Sequence, residues 1–157
     1  MKRNLFVAFF IWLAFVCNHT QACTSAVISG KITPDGRPLL WKQRDTDTAQ
    51  NSVMYFSGKR FSFVAIINSN EKNPRDIWIG TNSAGFSIMN TQLYNLEKVK
   101  KGEDRGSDNG RIMKLALEVC ATVEDFKHFL DSIKKPSLIE ANFGVIDAKG
   151  GAAMFET

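Results

Sequence analysis

The chain has 157 residues, of which 44% are apolar, and a formal net charge of +4 at neutral pH. That is enough sequence for one modest domain with its own core. Two of its 20 basic residues, Lys2 and Arg3, sit in an acid-free N-terminal stretch, and the remaining 18 nearly balance the 16 acids. So small an excess argues against a nucleic-acid partner.

Residues 1–4 carry the two charges, residues 5–16 are an unbroken apolar run, and Thr20-Gln21-Ala22 follows a short polar stretch. This is the order of an export signal. The run is too short for a transmembrane span, which needs about 20 residues. The predicted organisation is a signal peptide over 1–22 and one domain over 23–157. The product is periplasmic or extracellular, with no stable membrane insertion after cleavage. Cleavage after Ala22 makes Cys23 the first residue, with a thiol and a free α-amino group together. The alternative is a lipid anchor on Cys23, although a lipoprotein cut prefers a small residue where Gln21 stands. Cys17 leaves with the signal, and the remaining Cys23 and Cys120 can pair in an exported protein. Cys120 lies in an apolar helical stretch, where a buried free thiol is the commoner state. His128 is the one histidine after residue 22. A histidine-dependent triad or a metal centre is therefore short of residues, and no cofactor is expected.

Beyond Cys23 the chain reads as strand. Residues 24–29 are rich in β-branched side chains, Pro34-Asp35-Gly36 signals a turn, and a second strand runs over 39–44. Residues 53–56 and 61–67 flank Ser57-Gly58-Lys59-Arg60 as a second hairpin. Residues 77–80 and 86–89 are short strands joined by 81–85. Residues 97–110, polar with three glycines, read as a surface loop. Ile112, Leu115, Ala116, Val119 and Cys120 recur at helical spacing. Thr122-Val123-Glu124-Asp125 is a variant capping box. It opens a helix with Phe126, Phe129, Leu130 and Ile133 on its apolar face, stopped by Pro136. Residues 143–146 and 152–155 close the pattern as a hairpin around Lys149-Gly150-Gly151. Strands, paired helices and strands again predict an α+β layered domain. The last residues are still in strand pattern. This predicts the N-terminal part of a longer protein, with residues 23–157 alone poorly soluble and nearly inactive.

Three sets of residues carry candidate chemistry. Cys23 is a nucleophile once its thiol, of pKa about 8.5 when free, loses its proton. An α-amino group titrates near 8 and can take that proton directly or through water. Arg44 and Asp47 end the second strand, which the hairpin returns beside Cys23. Arg44 can hold a thiolate through a charge-assisted contact, and Asp47 can accept hydrogen bonds from the α-ammonium. The competing reading is an acidic turn with a surface arginine. Asn82 and Asn90 flank a glycine-bearing turn. Their amides and nearby backbone N–H groups can stabilise an oxyanion, or simply serve the turn.

Cys23-Thr24-Ser25 after a signal, Arg44 and Asp47 three apart, and Gly80-Thr81-Asn82-Ser83-Ala84-Gly85 with Asn90 downstream together resemble the N-terminal-nucleophile (Ntn) hydrolases. The resemblance is to the choloylglycine hydrolase and isopenicillin N acyltransferase relatives, which include penicillin V acylase and acid ceramidase. It spans nearly all of residues 23–157. It implies a four-layer αββα sandwich, incomplete here at its C-terminus, and a small-molecule amide substrate. It further implies an acyl-enzyme on Cys23, flanked by Arg44 and Asp47 and released by water. Acyl transfer to an amine is the alternative within the family. A non-catalytic, lipid-anchored surface domain is the alternative outside it. Asp45 stands where the family has asparagine. Asn90, Thr91 and Gln92 are alternatives for the backbone oxyanion position. A second oxyanion asparagine and another arginine are expected beyond Thr157. The oligomeric state is left open.

Overall fold

The computed structural model describes residues 23–46, 48–93, 108–133, 139 and 141–156. The expected signal segment, Asp47, Pro136 and residues 97–107 of the expected loop lie outside them. Among the described residues, ten elements follow in chain order. They are β1 (Thr24–Ile28), β2 (Leu39–Gln43), β3 (Asn51–Phe56), β4 (Phe63–Asn68), β5 (Ile79–Asn82), β6 (Ser87–Gln92), α1 (Asn109–Val119), α2 (Val123–Ser132), β7 (Ala141–Ile146) and β8 (Ala152–Phe155).

The first hairpin pairs antiparallel, from Thr24 opposite Gln43 to Ile28 opposite Leu39. Its turn carries Gly36 at φ 73°, a left-handed position that glycine takes without penalty. Strands β3 to β8 form one six-stranded antiparallel sheet in sequence order. The two helices lie between β6 and β7 in sequence, yet those strands are neighbours. The helical excursion therefore covers one face of the sheet and returns to the adjacent position.

Strand alternation separates the two faces of this sheet. Phe63, Ala65 and Ile67 on β4 are buried, as are Ile88 on β6 and Ala141, Phe143 and Val145 on β7. They meet Ile112, Met113, Ala116 and Leu117 of α1 and Phe126 of α2 in one core. Phe126 is its hub, with the rings of Phe86, Phe129, Phe143 and Phe155 at centroid distances of 5.9, 6.1, 5.7 and 5.2 Å. Gly80 lets α1 approach, since a Cβ there would lie 2.6 Å from Leu117 Cδ1. On the opposite face, a Cβ at Gly144 would lie 2.8 Å from Val27 Cγ2 and 2.7 Å from Met89 Cε. The β1–β2 hairpin therefore packs on the face away from the helices, against β6, β7 and β8. Beside it, Leu39 and Leu40 overhang Val64, Ile66 and Ile79, leaving an apolar groove of about 430 Å³.

The described residues thus make an α+β protein of three layers, helices on a six-stranded sheet on a two-stranded sheet. This is compatible with a sandwich-type fold. The expected elements are present with shifted bounds. The main shift is at α1, which begins at Asn109 inside the expected loop. Asn109 and Gly110 are buried there, with Gly110 lying against Asp76 from the β4–β5 connection. A tertiary contact makes helix of residues that read locally as loop.

Candidate active site

The hairpin register builds the site. Thr24 lies opposite Gln43, so one step further brings Cys23 opposite Arg44. Directly paired residues share a face, and alternation then groups Cys23, Ser25 and Val27 with Leu40, Lys42 and Arg44. Val27 packs on the large sheet, so this whole set faces inward. The burial of β2 agrees, with Leu40 and Lys42 half-buried and Leu39, Trp41 and Gln43 exposed. Cys23 is a free, half-buried thiol. Its Sγ donates to the Asp45 carbonyl oxygen over a long 3.8 Å.

Arg44 is clamped in place. Its guanidinium lies 4.2 Å from the ring centroid of Trp78, a cation–π contact. Its Nη1 donates to Thr48 O at 3.4 Å and to Asn51 Oδ1, and its Nη2 donates to Thr46 Oγ1 at 3.2 Å. Burial lowers its pKa, opposed by the negative charge of Cys23 as thiolate and of Glu71. Asp47 lies outside the described residues, between the Thr46 and Thr48 that Arg44 holds.

Lys42 was not among the residues singled out from the sequence, and it occupies the centre of the arrangement. Its Nζ donates to Asn90 O at 2.7 Å, to Asn90 Oδ1 at 2.8 Å and to Trp78 O at 3.3 Å. Burial pushes its pKa down to about 8, the Cys23 charge works against that shift, and Arg44 adds to it. Three acceptors around the ammonium hold it protonated at neutral pH. The signal that could have found Lys42 was parity, since it falls on the inward side of β2, two residues before Arg44. Trp78 was likewise missed. It supplies the ring under Arg44 and a carbonyl to Lys42, and its Nε1 is fixed on Asn68 Oδ1 at 3.1 Å.

Asn90 and Asn82 lie in different places. Asn90, buried on β6, meets the hairpin through Lys42. Asn82, equally buried, turns toward the helices. Its Nδ2 donates to Leu117 O at 2.9 Å and Cys120 O at 2.7 Å, and its Oδ1 accepts from Ala84 N and Phe86 N. Both amide hydrogens are in use, so this side chain ties the β5–β6 turn to the end of α1. The structure joins Cys23, Lys42, Arg44 and Asn90 and leaves the Asn82 amide across the sheet from them.

Residues 32–157 match the family model of acyl-coenzyme A:6-aminopenicillanic acid acyl-transferase. The chain belongs to that family. It is an Ntn-hydrolase-like family related to choloylglycine hydrolase and isopenicillin N acyltransferase, and it stands for acyl transfer or amide hydrolysis. The match takes in Lys42, Arg44, Asn82 and Asn90 and begins nine residues after Cys23. No curated protein matches the chain.

Proposed function

We propose that the protein is an exported cysteine hydrolase of non-peptide linear amides, with Cys23 as its N-terminal nucleophile once residues 1–22 are removed. The observation that carries this reading is the inward face of the first hairpin, where the Cys23 thiol sits with Lys42 and Arg44. Both cations feel the charge of this sulfur, which opposes the lowering of their pKa values by burial. In the reaction the thiol proton passes to the Cys23 α-amino group and the thiolate attacks the amide carbonyl. The S–C bond forms and the carbonyl π pair moves to oxygen. Collapse breaks the C–N bond, and the amine leaves with the proton held by the α-amino group. Water then opens the thioester and releases the acid. Arg44 holds the thiolate, Asp47 orients the α-ammonium, and Asn90 with its neighbours Thr91 and Gln92 serves the oxyanion. Asn82 supports the site from beneath by holding the β5–β6 turn.

The name of the matched family favours a second outcome for the same acyl-enzyme. An amine in place of water would accept the acyl group, forming a new amide and regenerating the thiol.

Two measurements test the reading. The intact mass of the exported protein should begin at an unmodified Cys23, whereas a diacylglyceryl adduct would put a lipid-anchored, non-catalytic domain in its place. Cys23→Ala should keep the fold and abolish acylation by p-nitrophenyl acetate, and full acylation of that variant would remove Cys23 from the mechanism.

A further inference from the structure

Lys42 spans the gap between the hairpin that carries Cys23 and strand β6 of the large sheet. Its three hydrogen bonds, two to Asn90 and one to Trp78, use all three N–H groups of an ammonium. An ammonium accepts nothing, so the amide atom that Asn90 turns toward it must be the oxygen. The Nδ2 is thereby turned away. Asn90 is only 6% exposed, yet its Nδ2 donates to no group among the described residues. A nearly buried amide whose two N–H donors meet no group among the described residues is available to a ligand. It suits an oxygen that gains negative charge.

We propose that Lys42 is a positioning residue that locks the Asn90 amide so that Nδ2 is presented to the acyl oxygen of a substrate under attack by Cys23. The proposal rests on Cys23 being the nucleophile. Lys42 keeps its proton throughout and touches no reacting atom. Asn90 donates to the oxyanion as the carbonyl π pair moves onto it, and the bond relaxes when the C–N bond breaks. The low pKa of Lys42 marks the tension in this design, a charge retained in a place where burial disfavours it.

The test is a double-mutant cycle on the purified protein, with p-nitrophenyl acetate as the acylating probe. The thiolate displaces p-nitrophenolate, whose burst gives the rate, and the acetyl group is located by mass. Asn90→Asp keeps the size and an oxygen for Lys42 but offers no N–H, and should slow acylation about 100- to 1000-fold. Lys42→Gln keeps two N–H donors but holds them one bond short of the Nζ position, which releases the Asn90 amide, and should slow it about 10- to 100-fold. If Lys42 acts through Asn90, the double variant is no slower than Asn90→Asp alone. Losses that multiply overturn the proposal, because a merely structural lysine would add its own defect. Wild-type acylation by Lys42→Gln also overturns it. Wild-type acylation by Asn90→Asp does so without requiring any Lys42 variant to fold. An acetyl group on a residue other than Cys23 fails differently, removing the nucleophile on which the proposal stands.

Discussion

Two thiols follow residue 22, and their surroundings separate them. Cys120 is 1% exposed, and burial pushes its thiol up to about 12, so it stays protonated and inert. Cys23 is half-buried between two cations. In the protein beginning at Cys23, Ellman's reagent should therefore titrate one thiol per chain under native conditions and the second only in denaturant. Two native thiols reacting at equal rates would contradict this. Lys42 gives a second expectation at this scale. Its folded pKa of about 8 lies below the ordinary lysine value of 10.5, so between those values the unfolded chain binds more protons. Stability contributed through this group rises with pH across that window. From pH 8 to 10.5 the wild-type protein should gain up to about 3 kcal/mol relative to Lys42→Met, as measured by urea midpoints of both at each pH. Parallel curves would place Lys42 in water. Cys23 stood out in the sequence because the expected export signal ends beside it. Lys42 was not, because the acceptors that define it, on Trp78 and Asn90, lie 36 and 48 residues away.

At the scale of elements, local signals fared best where local bonds make the structure. The predicted capping box of α2 is present, with Thr122 Oγ1 accepting from Asp125 N at 3.1 Å and Asp125 Oδ2 accepting from Thr122 N at 3.0 Å. Asp125 also accepts from Ala121 N, the largest of the causes that lower its pKa. Asp125→Ala should shorten α2 and destabilise the protein by about 1 kcal/mol at neutral pH. A depressed carboxylate pKa gives stability that is present above the unfolded value and lost as pH falls through the folded one. The difference between wild type and variant should therefore shrink below the normal carboxylate range, as read from thermal melts at pH 7 and pH 2.5. An unchanged difference would mean that the carboxylate charge plays no part in the cap. The start of α1 was misread for the opposite reason. Asn109 and Gly110 are poor helix formers, and a distant contact with Asp76 decides their state. The strands show the same divide. Their alternation identified them, while β5 and β6 extend to Asn82 and Gln92 because neighbours in the sheet continue the ladder.

For the whole molecule, the placement of Cys23 relative to Asn90 depends on how the two-stranded layer rests on the six-stranded one. The layers press together at Gly144, where an added methyl would meet Val27 on one side and Met89 on the other. Val27 is four residues along β1 from Cys23, about 13 Å of extended strand. β1 rests on β7 and β8, with Val27 as its contact at Gly144, and a stiff strand displaced at one contact shifts along its length. Raising it at Val27 by a few tenths of an ångström tips its far end, and the thiol moves against an amide that stays fixed to the large sheet. The hydrogen at the Cα of Gly144 is thus a spacer that sets how the Cys23 end of the hairpin lies against the large sheet. Gly144→Ala should cost about 1–3 kcal/mol from overpacking, but should slow acylation by about 10-fold or more. Val27→Ala in the same background removes the Val27 methyl groups, leaving the flexible end of Met89 as the remaining close neighbour, and should restore much of the rate. Failure of that restoration, with the melting temperature recovered, would show that the alignment is set elsewhere.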